Sequence, residues 1–330
     1  MSKTVLVSGG AGFIGSHLVE ALLRNKVKVI VVDDMNDFYD QAVKRANLSY
    51  ISKAIPDGAA DDFIFIEKDI SQLSISHISE HTSSLDAVIH LAAVAGVRPS
   101  IASPFVYEKN NAMGTLAMLE LARLLGVRKF ILASSSSVYG VNPNVPWTES
   151  DPLLLPISPY AASKIAAEAY CQVYSHLYDI NCVLLRLFTV YGPRQRPDLA
   201  ISKFIARAYR DEVIDIYGDG SSFRDYTFVG DIVNGVIAAL GKDTCGAEVF
   251  NLGSNSPISL LSLLSTIENA VGKKLKTNHL PLQQGDVPAT FADIEKARSV
   301  LGYEPGMPFD EGVRLQVRSF LDATPSFQPR

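Results

Sequence analysis

The chain has 330 residues, 47% of them apolar and 20% charged, an ordinary globular mixture that is long enough for two domains and excludes fibrous or disordered classes. A formal net charge of −5 without a block of Lys or Arg argues against nucleic acid or a membrane surface as partner. No apolar run reaches the roughly 18 residues of a membrane span, and the opening residues read directly into a strand. The three cysteines (Cys171, Cys182 and Cys245) lack metal-ligand spacing, so reduced, buried thiols, no metal site and a cytoplasmic location are expected.

In chain order, β-branched runs at residues 4–7, 28–33, 63–67, 87–91, 129–134 and 182–187 alternate with longer helical patterns, the rhythm of a parallel sheet. Most of these runs are continuously apolar, so helices should cover both faces. This predicts a doubly wound parallel α/β sheet, a Rossmann domain, over residues 1–188. Past Arg186 the pattern is broken by Gly192-Pro193, Gly218-Asp219-Gly220, Pro257, Pro281, Pro288 and Pro305-Gly306. A smaller mixed α/β substrate domain is expected over residues 189–330, with a segment near 227–252 returning to the first sheet. The tail from residue 324 is expected to fray.

Strand 4–7 runs into Ser8-Gly9-Gly10-Ala11-Gly12-Phe13-Ile14-Gly15-Ser16 and then a helical pattern, so Gly10-x-Gly12-x-x-Gly15 stands in the strand-to-helix context of a dinucleotide fingerprint. A side chain at Gly12 would keep a pyrophosphate away from the helix N-terminus that attracts it. The second strand ends in Asp33, 18 residues beyond Gly15, where a carboxylate can accept the ribose hydroxyls and repel a 2′-phosphate, favouring NAD over NADP. Asp69-Ile70, closing the third strand, suits the adenine amino group and ring.

The fifth strand ends in Ser134-Ser135-Ser136-Ser137, and Tyr160 is the only one of thirteen tyrosines with a lysine four residues on, Lys164. With Pro159 suited to a first helical turn, Tyr160 and Lys164 fall on one helix face. A phenol with a pKa near 10 is a poor base at neutral pH, so a nearby ammonium is the chemistry it needs. A serine hydroxyl alongside would share the moving proton.

On these residues, together with His90-Leu91-Ala92-Ala93, Asn111-Ala112-x-Gly114-Thr115, Val138-Tyr139-Gly140 and Arg224-Asp225-Tyr226, the chain resembles the extended short-chain dehydrogenase/reductase family, and within it the nucleotide-sugar 4-epimerases, over residues 3–322. The resemblance implies a triad of Ser135, Tyr160 and Lys164. It also implies an NAD site formed by Gly9, Gly12, Phe13, Ile14, Gly15, Asp33, Asp69, Ile70, Leu91, Ala92 and Asn111, together with Tyr160 and Lys164. Asn36-Asp37-Phe38-Tyr39-Asp40 with Lys44-Arg45, Ala95-Gly96-Val97-Arg98, the run from Thr189 to Asp198, and Gln284-Gly285-Asp286-Val287-Pro288-Ala289-Thr290 look most like UDP-glucuronate 4-epimerases. In that group the positions of Thr189 and Arg196 face the sugar, and a hydroxyl and a guanidinium suit a C6 carboxylate. Arg98, Arg224 (diphosphate) and Asp286 (ribose) complete the implied substrate contacts.

The implied reaction is a redox-neutral inversion. Tyr160 takes the C4 hydroxyl proton while hydride passes to NAD, and the 4-keto sugar rotates and is reduced on its other face. Ser136 and Ser137 stand where the family's dehydratases carry an Asp-Glu pair and its decarboxylases a Glu, which argues against those chemistries. A UDP-glucose or UDP-N-acetylglucosamine 4-epimerase and a non-catalytic NAD-sensing protein remain open alternatives. The resemblance also implies a homodimer, with Leu116, Leu119, Leu121, Ala166, Ala167 and Tyr170 as candidate interface residues.

Overall fold

A computed structural model describes residues 3–56, 58–152, 155–281 and 287–327. The first half runs β1 (Thr4–Ser8), α1 (Phe13–Arg24), β2 (Lys28–Asp33), α2 (Gln41–Ala54), β3 (Phe63–Glu67), α3 (Ile75–Ser79), β4 (Ala87–His90), α4 (Val97–Ala102), α5 (Pro104–Tyr107), α6 (Gly114–Leu124), β5 (Lys129–Ser135), α7 (Pro159–Tyr178) and β6 (Asn181–Leu187). The second continues with β7 (Thr189–Tyr191), α8 (Ala200–Arg210), β8 (Val213–Tyr217), β9 (Phe223–Phe228), α9 (Val229–Gly241), β10 (Ala247–Leu252), β11 (Pro257–Ser259), α10 (Leu260–Val271), β12 (Lys276–Leu280) and α11 (Phe309–Ala323).

Seven strands pair in the order β3-β2-β1-β4-β5-β6-β10, every neighbour parallel. The chain order reverses between β1 and β4, which opens a crevice at the carboxyl ends of the strands, the position where such sheets take ligands. The apolar strands explain the double cover. On β1, Val5 and Val7 face a core shared with Leu18 and Leu22 of α1 and Ile232 and Val236 of α9. The alternate residue Leu6 faces a second core with Met118 and Leu119 of α6 and Ala167 and Cys171 of α7. The doubly wound α/β architecture expected from the sequence is therefore the one observed.

A third core gathers Tyr191, Ile201, Ile205, Tyr226, Leu263, Ile267, Val313 and Val317, holding α8, α10 and α11 against a small sheet ordered β11-β9-β7. Asp225 on β9 ties this region together. Its fully buried carboxylate accepts the backbone N–H groups of Ser254 (2.6 Å), Asn255 (3.2 Å) and Ala292 (3.2 Å).

Three expectations need correction. Phe327, in the segment expected to fray, stacks on Phe320 with centroids 5.9 Å apart, because the chain past α11 folds back onto an aromatic pair. Cys245 is exposed, unlike Cys171 and Cys182, because it sits in the loop between α9 and β10. Leu119, Leu121 and Ala167 are buried in the second core rather than offered to a partner, since their helix faces pack on the sheet.

Candidate active site

The turn from β1 into α1 is shaped by glycines. Gly9 has φ +73°, and a Cβ there would stand 2.7 Å from the Ala92 backbone nitrogen. A Cβ on Gly15 would lie 2.2 Å from Gly9 O, so this glycine lets the helix press on the loop, whereas a Cβ on Gly12 would meet only Gly9 O, at 3.2 Å. Gly12 caps α1, which has no side-chain cap bond and no acid in its first turn. The helix therefore presents unneutralised N–H groups to the crevice, an arrangement that binds an anion.

Asp33 closes β2 with its carboxylate buried. Its Oδ2 accepts from Ala11 N (3.2 Å), and its Oδ1 from Met35 N (3.0 Å) and from Lys44 Nζ (3.2 Å). Lys44 is itself buried, so Asp33 is an ion-paired acid rather than a lone one. Asp69 uses Oδ1 to cap the turn that follows it, accepting from Ser71 N at 2.8 Å. Ile70 fills the space beside Gly114, whose added Cβ would meet Ile70 Cδ1 at 2.8 Å.

The end of β5 delivers Ser135, whose hydroxyl accepts from Ser137 N (3.1 Å). Helix α7 starts one residue before Tyr160. Ser158 caps it by accepting from Ala161 N (3.1 Å), and Pro159 occupies the first turn. Tyr160 and Lys164 therefore project one helical turn apart into the same cleft, about 490 Å³ in volume. Burial raises the Tyr160 phenol above its ordinary value, opposed by the Ser135 hydroxyl bonded to it and by the Arg196 charge. Burial pushes Lys164 down to about 8, opposed by the Glu168 carboxylate and by Cys171. Lys164 Nζ donates to Ala133 O at 2.8 Å.

At the other end of the cleft, Thr189 opens β7, and Arg196 reaches in from the following loop. The Arg196 guanidinium donates to both Asp198 oxygens (2.9 and 2.6 Å) and to Ala95 O (3.2 Å), and it lies over the Phe38 ring at 5.3 Å. Burial works against its charge, but the Asp198 bonds raise the Arg196 pKa above its ordinary value. Tyr39 lies between the two ends, with Lys44 Nζ 5.5 Å and Arg196 Cζ 6.0 Å from its ring.

The lining thus gathers Gly9, Gly12, Phe13, Ile14, Gly15, Asp33, Asp69, Ile70, Leu91, Ala92, Ser135, Tyr160, Lys164, Thr189 and Arg196. Three expected residues that the structure describes stand elsewhere. Asn111 lies behind the lining, exchanging hydrogen bonds with Val94 N (2.8 Å) and Val94 O (3.0 Å) and donating to Ser163 (3.0 Å), so it braces the loop after β4. Arg98 stacks over Tyr217 at 4.8 Å, and Arg224 donates to Phe223 O (2.9 Å). Asp286 falls outside the described residues. The sequence reading missed the parts played by Lys44, Phe38 and Tyr39. Their only signal was the segment from Asn36 to Arg45, which carries part of the family resemblance but implies no role for these three side chains. Among the described residues no group of three His, Cys, Asp or Glu side chains could hold a metal, and no helix is long and apolar enough to cross a membrane.

Comparison with known proteins gives concordant results. Residues 6–316 match the family model described as GDP-mannose 4,6 dehydratase. The chain is 42% identical to the UDP-glucuronate 4-epimerase of Thermodesulfobacterium geofontis, over 94% of each chain. Its structure superposes with a TM-score of 0.89 on a crystal structure of UDP-glucuronic acid 4-epimerase from Bacillus cereus in complex with UDP-glucuronic acid and NAD, at 36% identity, covering 97% of this chain and 99% of that one. A UDP-glucose 4-epimerase from Thermotoga maritima with UDP-glucose gives 0.85 at 33% identity, over 97% and 99%.

Proposed function

We propose that this chain, which belongs to the GDP-mannose 4,6 dehydratase family of extended short-chain dehydrogenases/reductases, is an NAD-dependent UDP-sugar 4-epimerase that interconverts UDP-glucuronate and UDP-galacturonate. The observation that carries the uronate assignment is the placement of Arg196, a half-buried cation sharing one cleft with Ser135, Tyr160 and Lys164. Hydrogen bonds from a charged donor to a carboxylate are among the stronger polar contacts.

The glycine cradle and the open N-terminus of α1 fit the NAD pyrophosphate, with Asp33 at the ribose, Asp69 and Ile70 at the adenine, and Leu91 and Ala92 along the floor. Bound there, NAD supplies a reversible two-electron oxidation at C4 with no net consumption. Tyr160, deprotonated, takes the C4 hydroxyl proton and later returns it, and Ser135 shares that proton. Lys164, as ammonium, favours the charged phenol. Between the two proton transfers the 4-keto sugar turns its other face to Tyr160, so the sugar end must hold the diphosphate while leaving the ring free to swing. A uronate oxidised at C4 is a β-keto acid, and Thr189 and Arg196 fix its carboxylate away from the alignment that would expel carbon dioxide. Ser136 and Ser137 line the cleft where a dehydratase needs its acid pair, so the C6 group is left intact.

One observation favours a second reading. Arg196 is already paired with Asp198, and a cation neutralised within its own chain also suits a neutral hexose, as in a UDP-glucose 4-epimerase. The test is to incubate the purified protein with UDP-glucuronate and with UDP-glucose, without added cofactor, and to follow C4 configuration by NMR. Formation of UDP-galacturonate without NADH release is expected. Inversion of UDP-glucose alone would establish the second reading, and no inversion of any UDP-sugar would overturn both.

The exposed apolar residues Leu124 on α6 and Val173 and Leu177 on α7 give a patch through which we place a homodimer. Light scattering should report twice the chain mass, and Leu177→Asp should shift it toward the monomer. A cytoplasmic location accords with three free cysteines.

A further inference from the structure

Beneath the cleft lies a second charged cluster that the reaction does not touch. Ser134 on β5 and Arg186 on β6 are register partners, and α7 crosses above them. Glu168, one helical turn past Lys164, sits over the pair and is 2% exposed. Its Oε1 accepts from Ser134 Oγ (2.5 Å) and Arg186 Nε (3.0 Å), and its Oε2 from Arg186 Nη2 (2.8 Å). Arg186 in turn lies over the Tyr139 ring at 4.8 Å, and the Tyr139 hydroxyl donates to Asn251 (2.7 Å). The cluster thus locks the last residues of β5, from which Ser135 enters the cleft and whose Ala133 carbonyl receives the Lys164 ammonium.

We propose that Glu168 is a positioning residue for Lys164, its carboxylate held by Arg186 and Ser134 so that one fixed negative charge lies a helical turn behind the catalytic ammonium. The proposal rests on the reading of Tyr160 and Lys164 as the proton-transfer pair. Titratable groups act on Lys164 from two elements, Glu168 and Cys171 on its own helix and His90 on β4, while Arg186 on β6 pairs with Glu168. His90 is pushed down to about 3, by burial first and then by Lys164, and so is neutral. Cys171 is raised well above its ordinary value by burial and is an uncharged thiol at neutral pH. Glu168 is then the group that opposes the desolvation of Lys164. Without it, burial is less opposed and the amine loses its proton at a lower pH, and a neutral amine cannot stabilise a phenolate.

The test is Glu168→Gln, which preserves shape and one acceptor oxygen while deleting the charge. The NAD-loaded protein, labelled with carbon-13 at the lysine ε position, is titrated by NMR without sugar, and Lys164→Met assigns the resonance. The Lys164 midpoint in Glu168→Gln should fall by about 1 unit or more. The alkaline limb of kcat for UDP-glucuronate should move to lower pH with it. The double variant Glu168→Gln/Arg186→Met leaves no unpaired buried charge, which protects folding, and should show the same downward shift. A merely structural role predicts a loss of kcat by the same factor at every pH with an unmoved midpoint, and that result overturns the proposal. If the wild-type protein inverts no UDP-sugar, the functional reading fails, while the Lys164 midpoint still decides the role of Glu168.

Discussion

At the end of the cleft proposed for the cofactor the shape is made by backbone, since Gly9 and Gly15 stand where a Cβ would strike other backbone atoms at 2.7 and 2.2 Å. At the end proposed for the sugar it is made by side chains, with Arg196 held by Asp198 two residues away and reaching Ala95 O across the cleft. Backbone packing cannot be retuned one residue at a time, whereas a guanidinium and its partner can be exchanged without disturbing a strand. Relatives with the same architecture carry different sugars in their names, and an end shaped by side chains is the part of the cleft that can change without the fold. Between the two ends stands the Ser135, Tyr160 and Lys164 group, built on a strand end and a helix start, with the rigidity of the first and the chemistry of the second.

The largest expected effect lies at this junction. Tyr160→Phe removes one oxygen and should lower kcat by about 10² to 10⁴-fold, the usual range for loss of a general acid-base group, while NAD and UDP-sugar still bind by calorimetry. Activity retained above a few per cent would mean that another base operates.

Next comes the backbone-built end. Gly15→Ala puts a methyl group 2.2 Å from Gly9 O, where neither helix nor loop can yield cheaply, and should cost about 3 kcal/mol together with bound NAD. Gly12→Ala, whose Cβ has one neighbour at 3.2 Å, should keep most of the unfolding temperature yet lose NAD. Equal destabilisation by the two variants would break the distinction between a glycine kept for packing and one kept for the ligand.

At the side-chain end, Arg196→Ala should lower kcat/KM for UDP-glucuronate by roughly 10- to 150-fold, the worth of about 1.5–3 kcal/mol in a charge-assisted hydrogen bond. The Asp198 carboxylate left behind would then repel the substrate. Activity on UDP-glucose should change far less. Equal losses on both sugars would move Arg196 to the diphosphate and favour the second reading of the substrate.

The smallest effect concerns the seam between the two ends, where His17 of α1 donates from Nε2 to Pro193 O (2.9 Å) and packs beside Arg194. Burial, and then the Arg194 charge, lower its pKa from 6.5 to about 4. Below pH 6.5 the unfolded chain takes up this proton first, so stability is full above that pH and is lost as pH falls toward about 4. The loss should be about 2 kcal/mol at pH 5. His17→Gln should therefore narrow the gap between urea midpoints at pH 7 and pH 5. An unchanged gap would show that the seam does not titrate. His90, pushed down to about 3 within the cofactor half, should contribute similarly and independently.

What the sequence determined by itself was whatever depends on local spacing. Continuous apolar runs mark strands buried on both faces, Gly10-x-Gly12-x-x-Gly15 marks a turn into a helix, and Tyr160 with Lys164 marks one helix face. Each is set by neighbours within a few residues, where the geometry of helix and strand leaves little freedom. The tertiary structure alone decided which partner each long side chain meets. Asn111 turned to Val94 and Ser163 rather than into the cleft, Asp33 found Lys44, and Arg196 found Asp198 and Ala95. Glu168 joined Ser134 and Arg186 across two strands. It also decided that Leu119 and Leu121 face the sheet and Leu124 the solvent, although all three are leucines of one helix. A side chain with several rotatable bonds can satisfy its charge on any partner within reach, and only the packed sheet brings residues tens of positions apart within that reach.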